Sequence, residues 1–198
     1  MFTKVSILIL TIFSLNCNKN ENFQLKNDKL LAKYFNESEV NDLEEILHLF
    51  ENEISKNCND TITVCFKNFL MNARNNIIIE NFEFSGELSG KITQKKISKS
   101  TFNKIWYNSY MFTNKNQDTI PIIMIKTESP YIDFLKELSE SKPYLTKYLE
   151  DGTSPLNSFI QGATELYILN HYDRFNLLDE RDRLILAIHY LSINEEFK

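Results

Sequence analysis

The chain has 198 residues, room for one domain of ordinary size besides a leader, and its 42% hydrophobic and 13% aromatic content can fill a core. A formal net charge of −5 gives it no general attraction for phosphate backbones or anionic lipid surfaces, so nucleic acid is not an expected partner. Only four Gly and four Pro occur, which argues against a turn-dense sandwich or barrel and for long helices.

The chain opens with Met1 to Lys4, carrying one positive charge, followed by the uncharged run Val5 to Leu15. A helix of that length rises about 16 Å, roughly half of a bilayer core, which suits the apolar region of a signal peptide and is too short to span. The run ends in Ser14-Leu15-Asn16-Cys17, and there it resembles the lipobox of bacterial lipoproteins. The resemblance covers residues 1–17 alone. It implies that residues 1–16 are removed and that Cys17 is acylated as the first mature residue. The protein would then be held by its lipid on the extracytoplasmic side of a bacterial envelope membrane. Loss of Lys4 with the leader makes the mature charge −6. An ordinary secreted protein cut near Cys17 is the alternative.

Cysteine parity bears on the same question. The cysteines are Cys17, Cys58 and Cys65. In an oxidising compartment an odd count leaves one thiol unexplained, and a lipidated Cys17 frees the other two to pair. On one continuous helix Cys58 and Cys65 would lie about 10.5 Å apart, beyond the roughly 7 Å reach of a disulfide. The bridge therefore needs a break, and Asn57-Cys58-Asn59-Asp60 offers one, because Asn and Asp side chains favour turns and caps. Two reduced, buried cysteines are the other reading.

Asn18 to Asp28 is polar and aperiodic and reads as a tether over residues 17–28, leaving 29–198 as a single helix-rich domain. Ser38 is the expected start of a helix carrying Val40, Leu43, Ile46, Leu47, Phe50 and Ile54 on one face. Glu39, Asp42, Glu44 and Glu45 suit the positive end of its dipole. A second helix, capped by Asp60 and ending near Arg74, carries Ile62, Cys65, Phe66, Phe69 and Leu70. Residues 77–97 fit either a short β-hairpin, from Ile77-Ile78-Ile79 with Phe82 and Phe84, or an irregular loop. Ser100 is read as the cap of a helix through Phe102, Ile105, Trp106 and Tyr110. After the polar loop Thr113 to Thr119, Ile120 to Ile125 is a short edge strand or an extended connection, because Pro121 cannot donate to a ladder. Ser129-Pro130, Lys142-Pro143 and Ser154-Pro155 each signal a helix start, Gly152 a helix end, and Asp179 the opening of a last helix from Glu180 to Ile193. The expected fold is mainly α, with about six helices.

Few residues suggest chemistry. His48, Glu44 and Glu51 project from neighbouring turns in a metal-compatible spacing, yet a His among carboxylates on a solvated face is the commoner case, and no ligand on a second helix is assignable. No metal and no cofactor is expected. His189 sits in the most apolar helix, where a lone His is usually a core residue bonded to a carbonyl or a Tyr hydroxyl. The densest polar group is His171-Tyr172-Asp173-Arg174 with Asp179 to Arg183. His171, Asp173, Arg174 and Arg181 make a candidate binding rim, and the competing reading is a capped helix start with exposed ion pairs of little energetic worth. No glycine-rich phosphate loop, GxSxG, HExxH or CxxC occurs, and no catalytic residue is assigned. The anchor, the acidic helical domain and the missing catalytic set together suggest a non-enzymatic envelope protein that binds another protein, such as an inhibitor, an immunity-type protector or an assembly accessory. An envelope hydrolase acting on cell-wall or lipid material is the alternative, and it would need His171 or His189 to meet a carboxylate or hydroxyl in a pocket.

Overall fold

The structure, a computed structural model, describes residues 24–78, 94–112, 119–152 and 161–193. Cys17 and the apolar run before it lie outside these residues, as does the helix start expected at Ser154-Pro155. The fold is mainly helical with one small antiparallel sheet. Six helices of nine residues or more occur among the described residues.

The folded domain includes residues that the sequence suggests are tether. Leu25–Asn27 forms a 3-10 turn and Leu25 is buried in the core, so Gln24 to Asp28 belong to the folded domain and not to a tether. Asp28 is itself buried, and its Oδ1 accepts from the Leu30 and Leu31 N–H groups to start α1 (Leu31–Tyr34). Helix α2 (Glu37–Ser55) is capped by Asn36, not Ser38, because a capping box forms: Asn36 Oδ1 accepts from Glu39 N at 3.0 Å and Glu39 Oε2 accepts from Asn36 N at 2.8 Å. The expected stripe from Val40 to Phe50 is buried.

Cys58 and Cys65 are joined, with their Cα atoms 5.7 Å apart, across the turn that leads into α3 (Ile62–Ile78). The Asp60 carboxylate accepts from Thr61 N, and the helix starts just after this expected cap and runs past Arg74 to Ile78. Ile77 and Ile78 are thus helical, and a helical turn occupies 94–96. The middle of the hairpin proposed near 77–97 lies outside the described residues.

The sheet lies further along. Ser98 caps α4 (Lys99–Ile105) through its Oγ, and the helix stops at Ile105. The helix expected through Tyr110 gives way to strand β1 (Trp106–Phe112), which pairs with β2 (Thr119–Ile125) in the register Trp106↔Ile125. Ser129 with Pro130 at the first turn opens α5 (Pro130–Ser139) as expected, and α6 (Tyr144–Gly152) and α7 (Gln161–Asn170) follow. Helix α8 (Glu180–Ile193) matches its predicted bounds and is the hub of the fold. Every residue from Leu184 to Ser192 is buried, so α8 has no solvent face there. Helix α2 and strand β2 pack on it, Phe69 meets Tyr190 edge-on at 4.8 Å, and the Trp106 indole N–H donates to Ser192 Oγ at 2.7 Å.

Candidate binding site

The link between α7 and α8 carries the polar group that stands out in the sequence. It makes a 3-10 turn at Tyr172–Arg174 and then drives two apolar side chains inward. Phe175 packs on Tyr144 with ring centroids 4.9 Å apart, and Leu177 is nearly as buried. The backbone here is held by the first turn of α8. Asp182 Oδ2 accepts from Asn176 N at 2.7 Å, and Arg183 Nη1 donates to Leu177 O at 2.9 Å. Asn176 closes the turn on itself, its Oδ1 accepting from Leu178 N and its carbonyl from Asp179 N.

Against this pinned loop lies a groove of about 450 Å³, lined by Thr63 from the start of α3 and by Asp173 to Leu178. Phe175, Leu177 and Leu178 are its apolar lining residues. Leu178, 53% exposed, stands at its side, and the Cys58–Cys65 turn adjoins it through α3. Asp173 and Arg174 are exposed, and neither side chain has an ionic or hydrogen-bond partner among the described residues.

Two of the four rim candidates, Asp173 and Arg174, thus come together on the groove. His171 is half-buried and packs on the Tyr167 ring at 4.8 Å. Arg181 turns the other way. Its Nε and Nη2 donate to the two oxygens of Asp179 at 3.2 and 3.0 Å, and its Nε lies 3.8 Å from Asp28 Oδ2.

The ion pairs at the head of α8 are buried, contrary to the expectation of exposed ones. Lys142 Nζ donates to Asp179 Oδ2 at 2.7 Å and to Asp182 Oδ1 at 2.5 Å, and Asp182 is wholly buried. Burial pushes the Asp182 carboxyl above the usual range even though Lys142 opposes it. Burial also pushes Asp179 upward, but Arg181 and Lys142 more than offset it and leave that carboxyl low. The sequence held no sign of Lys142 or Asp28 in this network, since both come from distant elements. Arg183 extends it to α2, its Nε donating to Glu51 Oε1 at 2.8 Å.

The other histidines are placed apart from the groove. His48 is largely exposed, 3.6 Å from Glu51, whose carboxylate already serves Arg183. Among the described residues no group of three His, Cys, Asp or Glu side chains is placed to hold a metal ion. His189 is fully buried and shares a 3.3 Å hydrogen bond between its Nδ1 and the Tyr148 hydroxyl, the core arrangement its sequence context suggests. Burial pulls its pKa down to about 3. Among the described residues no helix is long and apolar enough to cross a membrane. No protein-family model, characterised protein or solved structure matches the chain.

Proposed function

We propose that the chain is a lipid-anchored envelope protein without catalytic activity of its own, and that it binds a protein partner in the groove beside the Cys58–Cys65 turn. The observation that carries this reading is the groove itself. Its apolar lining residues are held in place by the bonds of Asp182 and Arg183 to the loop backbone, while the charged side chains of Asp173 and Arg174 have no partner among the described residues. Pre-ordered apolar surface with a polar rim is the anatomy of a protein-binding patch, because little conformational freedom is lost on docking. The disulfide supports the address: it suits an oxidising compartment and leaves Cys17 as the odd thiol, available for lipid. The hydrolase alternative gains no support, since His189 is enclosed in the core and His171 packs on Tyr167.

The test is crosslinking in intact cells followed by recovery of the full chain from the envelope. A specific partner is expected, with affinity lowered about thirtyfold by Leu178→Asp, a change typical of a central contact worth about 2 kcal/mol. Cys17→Ser is expected to release the protein from the membrane fraction and to abolish its lipid adduct in mass spectra. Recovery of a partner that tolerates Leu178→Asp and Arg174→Glu together rejects the groove. An unmodified Cys17 sulfur rejects the anchor.

A further inference from the structure

Among the described residues the hairpin leaves one strand edge open. In an antiparallel ladder, pairs that exchange backbone hydrogen bonds alternate with pairs that do not. Lys126 N donates to Ile105 O at 2.9 Å, and the register makes these two residues the next pair beyond Trp106 and Ile125. The bonded pairs are therefore Tyr107 with Met124, Ser109 with Ile122 and Met111 with Ile120. It follows that Asn108 and Tyr110 turn their N–H and C=O groups away from β2. Both residues are exposed, Tyr110 at 65%. On β2 the corresponding outward positions are Pro121, which has no N–H, and Ile123, which is already engaged. Among the described residues the edge of β2 is closed and that of β1 is open.

Natural sheets protect open edges with Lys, Pro or a bulge. Strand β1, WYNSYMF, has no charged residue, no Pro and no Gly, and is rich in the aromatic residues that strands favour. We propose that this edge pairs antiparallel with the same edge of a second copy of the chain, giving a continuous sheet ordered β2-β1-β1-β2 across a two-fold axis. Several registers set outward-facing residues opposite one another. The one that pairs both exposed positions puts Asn108 opposite Tyr110 of the second copy and Ser109 opposite itself on the axis, so that each Asn108–Tyr110 pair exchanges N–H···O bonds in both directions. The strand is compatible with itself in charge. Each chain carries a net −5, yet no ionised side chain stands on β1 to face its like across the axis. A strand built for a charged peptide segment would carry the complementary charge, and this one carries none. Two such strands alone bury less than a standard interface, so the pair forms transiently and populates where the chain is concentrated.

The experiment places the photocrosslinking residue benzoylphenylalanine at position 110 of the full chain and irradiates intact cells. The expected product has twice the mass of the chain, with the crosslink mapping to β1 of the second copy. Asn108→Pro should abolish it without shifting the thermal midpoint, because the hairpin does not use that N–H. Ser109→Asp keeps every backbone N–H and sets two carboxylates face to face on the axis, and it should abolish the product too. No crosslink, a crosslink to a different protein only, or a double-mass product that survives both substitutions overturns the proposal.

Discussion

His189 shows how one buried side chain makes the whole fold sensitive to acid. In the folded state its imidazole is sealed between the Tyr148 and Tyr190 rings and loses its proton near pH 3, whereas an unfolded His does so near pH 6.5. Between those values the unfolded chain binds more protons, so stability is full above about pH 6.5 and falls as the pH drops toward 3. At pH 5 the expected loss from this residue is about 2 kcal/mol. His189→Phe removes the hydrogen bond between Nδ1 and the Tyr148 hydroxyl and lowers stability at every pH, but it should flatten the dependence. Urea unfolding at pH 7.5 and pH 5 measures the difference, and equal slopes for both proteins would refute the account. The buried role of His189 was legible because its neighbours on either side are apolar. That of Glu39 was not. Its position suggested a solvated residue near the helix dipole, yet it is buried and hydrogen-bonded by Lys104 Nζ and Ser100 Oγ, both at 2.6 Å. Burial pushes its carboxyl upward, and these bonds with that from Asn36 N more than reverse the effect. Local sequence says nothing of Lys104, which arrives on another helix.

At the scale of elements, punctuation was the reliable signal. Ser129-Pro130 and Asp179 mark helix starts by mechanisms confined to one turn, and both helices begin there. The failure at Trp106 is equally physical. Phe102, Trp106 and Tyr110 recur at helical spacing, but Trp106 is buried in a strand and Tyr110 is exposed on it, so the shared face was an accident of periodicity. The better signal was the polar stretch 113–118 between two apolar runs, the mark of a hairpin. The Cys58–Cys65 bridge was legible through geometry, since the asparagine-rich turn permits the approach that a helix forbids. Closing so short a loop should contribute about 2–3 kcal/mol on the chain-entropy model. Changing both cysteines with Cys58→Ser and Cys65→Ser should lower the unfolding free energy by that amount and spare the fold, because Phe50, Phe66 and Phe69 still pack α2 on α3. A loss below about 0.5 kcal/mol in calorimetry would show that the bridge merely decorates the turn.

At the scale of the whole molecule, the start of α8 is where distant parts of the chain converge. Lys142 reaches it from the link before α6, Glu51 from α2, and the groove loop through Asn176 and Leu177. The N-terminal segment joins the same point. Leu25 N donates to Glu180 Oε2 at 2.9 Å, and Asp28 lies beside Arg181. This is why a boundary drawn from polarity alone falls too late: Phe23 and Leu25 are too few in a polar stretch to set a helical period, and only the fold reveals the socket of Leu25. If Cys17 carries lipid as proposed, buried Leu25 lies eight residues along the chain from the anchor, at most about 28 Å, so the domain is held close to the membrane. Leu25→Ala in the full chain tests whether the segment is truly part of the core. The side chain is 1% exposed and belongs to the main apolar cluster, so its truncation should cost about 3 kcal/mol, whereas exposed Lys26→Ala next to it should cost almost nothing. Urea midpoints for the two variants make the comparison. Equal, small shifts would mean that residues 24–28 hang from the domain instead of building it.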